Sequence, residues 1–467
     1  MLSILVNILL FILVIGVLTF IHELGHFLSA KLIKATVLEF SLGFGPKLLS
    51  KKFKGTEYNI RLLPLGGFVK ILGDGDPEKK EVKEKAKNDD GNLHNKPRLA
   101  QIFVMLAGVT MNILFAITMY FIVISNSVVG NSGWSTVLDW SYQDFKPIGA
   151  SITKEVIGDV KYVELEADGS AVKANLPPSG TIKTIDGKEI EYAYEVRESL
   201  KVDASGQTTM EICNDDSCKL YTVNVSDAGT IGIMLPTNYY VVASNDGNAF
   251  KTQVPFSGEI KAIDGEEVKY ASDILNLLEK DKNGKATLDI CTETNTCGTY
   301  TVDVKSDGTI GVILSTNYYV ELSYENNKVF AGFSHLINTV RLIGIKFGSM
   351  FGEAKTTGDY SEISNSVSGP VGIYFLIDYF KNLGFVTFLS VMGDLSLSLA
   401  IMNLLPIPAL DGGRVGILLI ESILRKELNE KVKTLIINGS FILLMILVIF
   451  IMVKDVLNIQ NIKDMFR

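Results

Sequence analysis

Histidine is scarce in this chain, four residues among 467, and tryptophan, at two, is scarcer. Charge is missing in whole blocks. Residues Met1 to Ile21, Leu99 to Ser125 and Thr434 to Val453 contain no Asp, Glu, Lys or Arg. At a rise of about 1.5 Å per residue, each block wound as a helix crosses about 30 Å of hydrocarbon, which excludes an ordinary soluble protein. Met1 to Ile21 also lacks a basic leading region and a small-residue cleavage site, so it reads as a retained span and not as a removable signal peptide. A fourth apolar block, Phe385 to Leu410, is interrupted by Asp394, Asn403, Pro406 and Pro408, the mark of a broken, functional span.

The net charge of −8 conceals an asymmetry. Residues 31–100 hold 15 Lys and Arg against 9 Asp and Glu, whereas residues 131–330 hold 17 against 31. The positive-inside tendency assigns the basic stretch to the cytoplasm, and the acidic stretch and the start of the chain to the other side. No basic face survives in the large central region, so a nucleic-acid partner is not expected. The four cysteines fall in that outer region as Cys213-x4-Cys218 and Cys291-x5-Cys297, each pair around a polar turn. Two short disulfides across hairpins are expected, with buried free thiols as the alternative. No histidine lies near enough in sequence to complete a zinc site with them.

A tandem repeat organises the centre. Ser179 to Cys213 aligned with Ser257 to Cys291 gives 16 identities in 35 positions without a gap. The match resumes beyond the second cysteine of each pair, at Gly229-Thr230-Ile231-Gly232 against Gly308-Thr309-Ile310-Gly311, and at Asn238-Tyr239-Tyr240 against Asn317-Tyr318-Tyr319. Each unit opens with an alternating strand and a turn at Asp-Gly, followed by a short helix and a hairpin. Two such units make two small domains rather than a solenoid.

His22-Glu23-Leu24-Gly25-His26 follows directly on the first uncharged run. Spacing of four on a helix puts both imidazoles on one face, where they can hold a single Zn2+, with Glu23 placed as general base. A purely structural membrane helix has no reason to bear the several kcal/mol that burying these groups costs. A third ligand must come from elsewhere, and Asp411 is the best candidate. It closes Asn403-Leu404-Leu405-Pro406-Ile407-Pro408-Ala409-Leu410-Asp411-Gly412-Gly413, where prolines break the helix and glycines permit a close approach. The basic residues that follow, Arg414, Arg425, Lys426, Lys431 and Lys433, put that end on the cytoplasmic side with His26. The bland reading of Asp411 is a helix-terminal turn acid. His94 and His335 read as surface residues.

Together, HExxH in the first span, the later N-x-x-P-x-P-x-L-D-G-G and the inserted repeat resemble the site-2 protease family of intramembrane zinc metalloproteases, in its RseP-like branch. Ser170 to Leu176 with Ser179 to Gly187 resembles a bacterial PDZ domain. Phe40 to Pro46 is similar to the family's membrane-dipping β-hairpin, Arg61 to Lys70 to the strand after it, and Ser368 to Ile373 to a segment before the third span. Ala107 to Asn112 is similar to a family segment but lacks its proline, which leaves Asn112 a candidate support to the site. The resemblance implies a polytopic α-helical membrane protein of about four transmembrane helices, with a membrane-associated β-hairpin and two inserted α+β PDZ-like domains outside the cytoplasm of a bacterial inner membrane. It implies zinc as cofactor and, as substrates, pre-trimmed single-pass membrane proteins such as anti-sigma factors or remnant signal peptides. Asn403 is expected to donate to the substrate carbonyl or oxyanion, an interhelical hydrogen bond being the alternative. Gly43, Phe44 and Gly45 are expected to pair with unwound substrate. PDZ-like domains suggest peptide recognition, with a folded spacer as the alternative.

The expected segments are a first span (1–30), a cytoplasmic loop with the hairpin (31–98) and a second span (99–126). Two PDZ-like domains (127–245 and 246–324) and an interfacial amphipathic segment (325–382) precede the third span (383–411), a cytoplasmic loop (412–433) and a fourth span with an outer tail (434–467). Two rivals exist: a membrane-tethered peptide-binding scaffold with a structural metal, and a transporter on broken helices. Glu23 argues against the first, since bracing needs no base. The lack of an inverted repeat argues against the second.

Overall fold

The computed structural model describes residues 2–459 apart from 75–88, 128–132, 140, 141, 143, 204, 205, 215, 216, 243–246, 283, 293–295 and 383. Most of the Lys/Glu-rich run between Asp74 and Asp90 therefore lies outside the described residues, as does the tail after residue 459. The chain forms two compact units, Met1–Phe121 with His335–Phe380 and Phe388–Arg467, and Ile122–Ser334 with Lys381–Thr387.

In the first unit, the uncharged runs are helices. They include α1 (Leu2–Leu32) and α2 (Arg98–Ser125). Four helices are long and apolar enough to cross a membrane: Leu5–Leu32, Arg98–Ser125, Phe385–Leu404 and Lys431–Leu457. The last buries 0% of its apolar window against the rest of the chain, with Leu435, Leu443 and Phe450 among its exposed residues. Only a hydrocarbon solvent can take such a surface without a large penalty. Between α1 and α2 the chain makes one long hairpin, β1 (Val37–Phe53) and β2 (Thr56–Ile71), antiparallel with repeated register shifts. Its base packs on both helices through Ala30, Val37, Phe40, Val69, Ile71 and Val104. From Phe44 to Phe53 the remainder of β1 is exposed, including Leu48, Leu49 and Phe53, whereas Thr56 and Asn59 of β2 are buried.

Two pairs of polar side chains join the helices of this unit. Tyr120 donates to Asp394 at 2.7 Å, and Asn7 donates to Asp378 at 2.6 Å. These bonds tie neighbouring helices together. His335, expected at the surface, instead sets its ring edge-on against Tyr120 with centroids 4.7 Å apart. His94 pairs with Glu427 at 3.2 Å.

The second unit contains the repeat. Two strands, β3 (Ser135–Leu138) and β4 (Ser151–Val156), come before it. Its first copy has β5 (Lys161–Tyr162), β7 (Gly180–Ile185), β9 (Gln207–Asn214) and β10 (Ser217–Asn224) in the order 10-9-7-5, with β6 (Glu164–Leu165) paired to β11 (Ile233–Met234) and β8 (Lys188–Glu189) on β7. The second copy has β12 (Tyr239–Val242), β13 (Ser257–Ile263), β15 (Lys285–Cys291), β16 (Cys297–Asp303) and β17 (Val312–Ser315) in the order 16-15-13-12-17, with β14 (Glu266–Glu267) on β13. Strand β12 precedes residue 246 yet lies inside the second copy's sheet. The two cores use equivalent positions: Ala171 and Ala249, Ile182 and Ile260, Leu200 and Leu278, Ile212 and Ile290. Each fully buried aliphatic side chain contributes about 1.5–3 kcal/mol, so the repeated identities are repeated packing requirements. Disulfides join Cys213 to Cys218 and Cys291 to Cys297 across the hairpins.

Candidate metal centre

Helix α1 runs unbroken through His22, Glu23 and His26, so spacing of four stacks the imidazoles with ring centroids 4.9 Å apart and Nε2 atoms 3.2 Å apart. The third member arrives from the far end of the chain. A helix (Phe385–Leu404) stops before Pro406, the chain turns through Ile407 and Leu410, and the next helix (Asp411–Leu424) begins on Asp411. A Cβ on Gly412 would stand 2.2 Å from the Leu404 carbonyl oxygen, and one on Gly413 2.0 Å from that of Ile407. Only glycine allows a turn this close, and the turn aims the acid inward. Asp411 Oδ2 lies 3.1 Å from His22 Nε2 and 3.4 Å from His26 Nε2.

Three edges of 3.1–3.4 Å fit a small cation. Ligand bonds of about 2.0–2.1 Å at tetrahedral angles separate ligand atoms by about 3.4 Å. The donor chemistry agrees. His26 Nδ1 donates to the Val104 carbonyl at 2.8 Å, which leaves Nε2 with its lone pair exposed. Asp411 Oδ2 is buried without a hydrogen-bond partner, and two imidazole nitrogens converge on it. Three protein ligands and an open fourth position are the pattern of catalytic rather than structural zinc.

Helix α2 supplies the floor. A Cβ on Gly108 would lie 2.4 Å from His26 Nε2 and 2.8 Å from His22 Nε2, and one on Gly25 would lie 2.3 Å from the Ala107 carbonyl oxygen. The two helices therefore meet through glycine on both sides. Asn112 lies with its amide nitrogen 3.3 Å from His22 Nδ1. Glu23 is met from the other side by β2, where the Val69 backbone N–H bonds its carboxylate. A Cβ on Gly67 would come within 3.1 Å of Glu23 Cγ and 2.9 Å of the Ser41 carbonyl oxygen. Sequence reasoning did not assign roles to Val104, Gly108, Gly67 or Val69, because each acts through a tertiary contact. The glycines at 67 and 108 inside otherwise apolar elements were the available signal.

The other expected residues are placed as follows. Asn403 lies in the last turn before the break, half-buried, and its amide makes no hydrogen bond to the described residues. Gly43 and Gly45 both have φ of +85°, and a Cβ on Gly43 would stand 2.5 Å from the Leu63 carbonyl oxygen. Phe44 between them is 48% exposed and stacks on Phe68 at 6.5 Å. Among the described residues these three show no contact with His22, His26 or Asp411.

Two histidines and a glutamate in one apolar span, met by a carboxylate that follows another, define the class: a membrane metallopeptidase. The chain matches the model of Peptidase family M50 over residues 10–447 and belongs to that family, the site-2 proteases. It is a zinc metalloprotease of the RseP type. It is 29% identical to the regulator of sigma E protease of Haemophilus influenzae, over 96% of this chain and 98% of that protein. It is 28% identical to the regulator of sigma-W protease RasP of Bacillus subtilis, and again 28% to the zinc metalloprotease RasP of Bacillus licheniformis, over 94% of this chain and 96% of each.

Proposed function

We propose that the protein is an intramembrane endopeptidase that cuts transmembrane segments of single-pass membrane proteins already shortened by another protease, anti-sigma-factor-like proteins or remnant signal peptides among them. His22, His26 and Asp411 are its zinc ligands. The observation that carries this reading is the ligand triangle with edges of 3.1–3.4 Å, next to Glu23 on a helix long and apolar enough to cross a membrane. Bound zinc would supply Lewis acidity, lowering the pKa of water to about 7 and polarising a peptide carbonyl.

The chain's own groups do the rest. Glu23 takes the proton of the attacking water on a carboxylate oxygen and returns it to the leaving amine. Asn403 Nδ2 donates to the substrate carbonyl as it gains charge. A helical substrate hides its carbonyls in its own hydrogen bonds, so the β1 edge near Gly43, Phe44 and Gly45 takes up the unwound backbone as an added strand. The names of the two sigma-factor regulators support membrane-protein substrates. The family and its bacterial relatives support a bacterial inner-membrane location, and the charge asymmetry supports the repeat lying outside the cytoplasm.

Purified protein in detergent, given a model single-pass substrate, tests the chemistry. Glu23→Gln keeps its zinc and loses cleavage by about 10²–10⁴-fold; equal product from both proteins removes Glu23 from the mechanism. The two repeats are PDZ-like domains that screen substrates by ectodomain size. Deleting residues 150–322 then lets long ectodomains be cut as fast as short ones, and size-independent cleavage by the intact protein eliminates the sieve.

A further inference from the structure

We infer that Asn112 is a positioning residue that sets the tautomer and ring plane of His22, its Oδ1 accepting from His22 Nδ1–H when Nε2 holds zinc. The inference rests on the proposed role of His22 as a ligand. Val104, Gly108 and Asn112 recur every four residues on α2 and form one stripe facing α1. At one end, the Val104 carbonyl accepts from His26 Nδ1 at 2.8 Å. At the other, Asn112 stands 3.3 Å from His22 Nδ1 and is fully buried. Gly108 lies between them against both rings. Each imidazole thus has its own partner on the same helix, a backbone carbonyl for His26 and an amide side chain for His22.

Protonation decides the orientation of that amide. An imidazole that ligates through Nε2 carries its proton on Nδ1 and must donate there. With the amide nitrogen toward Nδ1, two donors would face each other in a dry site. Half a turn about χ2 presents Oδ1 instead, and Oδ1 has no hydrogen-bond partner that the turn would break. The backbone of Asn112 stays fixed through the turn, because its carbonyl accepts from Ser396 Oγ at 2.9 Å.

Zinc affinity of the full-length protein, measured by competition with a chelator series, tests this directly. Asn112→Ala and the near-isosteric Asn112→Leu lose about 10–100-fold in affinity, while Asn112→Asp, which still accepts from Nδ1–H, recovers most of it. Thermal unfolding of the metal-free variants controls for packing. Wild-type affinity in Asn112→Leu, or an equal loss in the Asp and Leu variants, overturns the inference. His22→Ala separates the two levels of the argument. Retention of zinc by His22→Ala overturns the ligand assignment and this inference with it, whereas loss there with wild-type affinity in Asn112→Leu overturns the Asn112 role alone.

Discussion

Replacing Gly108 with alanine adds one methyl group at the tightest point of the metal centre. That carbon would lie 2.4 Å from His26 Nε2, 2.7 Å from His22 Cε1 and 2.8 Å from His22 Nε2. Ordinary contact begins at about 3.5 Å, so the rings must retreat by about 1 Å or the helices must part. Parting is resisted because α1 and α2 also touch at Gly25 and Ala107, where a Cβ would lie 2.3 Å from a backbone oxygen. The rings move instead, and His26 gives up its 2.8 Å bond to Val104. Zinc sites tolerate about 0.2 Å in ligand distance, and an error of about 1 Å costs about 10²-fold in turnover. Gly108→Ala therefore binds zinc at least 10-fold more weakly and cleaves about 100-fold more slowly, with its helical circular dichroism unchanged. Zinc content and cleavage both within threefold of the parent protein would refute the packing argument.

Two further outcomes concern the repeat. Asn317 is buried, accepts from Ala193 N–H at 2.9 Å and donates to the Gly158 and Glu191 carbonyls at 3.0 and 2.8 Å. Asn317→Ala orphans three backbone groups at about 1–3 kcal/mol each, so limited proteolysis should open this unit at lower denaturant than in the parent; an unchanged digestion profile contradicts that assignment. Asp186 accepts from the Thr209 N–H and the Thr208 hydroxyl, which hold its carboxyl below the usual range, while a hydrogen bond to Asp186 pushes Asp203 up. The Asp203 contribution is complete below its unfolded pKa and lost as pH rises through its folded one. The Asp186 contribution is complete above its unfolded pKa and lost as pH falls through its folded one. Asp203→Asn removes the loss on the rising side, so amide exchange across Gln207–Asn214 should no longer accelerate, beyond its intrinsic rate, as pH climbs out of the carboxylate range. Parent-like acceleration counts against the shared proton.

Much of this protein is determined by local pattern. A run of 21 residues without charge has few fates but a span, and two histidines four apart on a helix share a face whatever surrounds them. Repeated identities announce repeated cores because the same buried positions must be filled twice. Proline and glycine around Asp411 likewise announce a sharp turn before any neighbour is known. What lay beyond reach was partnership. The tripeptides Asn238-Tyr239-Tyr240 and Asn317-Tyr318-Tyr319 are identical, yet the first opens β12 between β13 and β17, while the second opens a strand (Tyr318–Ser323) paired with Ser135–Leu138 and Ser151–Val156. Asn112 could be marked as a candidate support from sequence, but distance along the chain hid how Val104, Gly108 and Asn112 line up against the imidazoles, and the approach of Gly67 to Glu23. Side-chain periodicity is a property of a single element and can be read from its residues. Which face meets which depends on packing among elements far apart in sequence, and only the folded chain settles that.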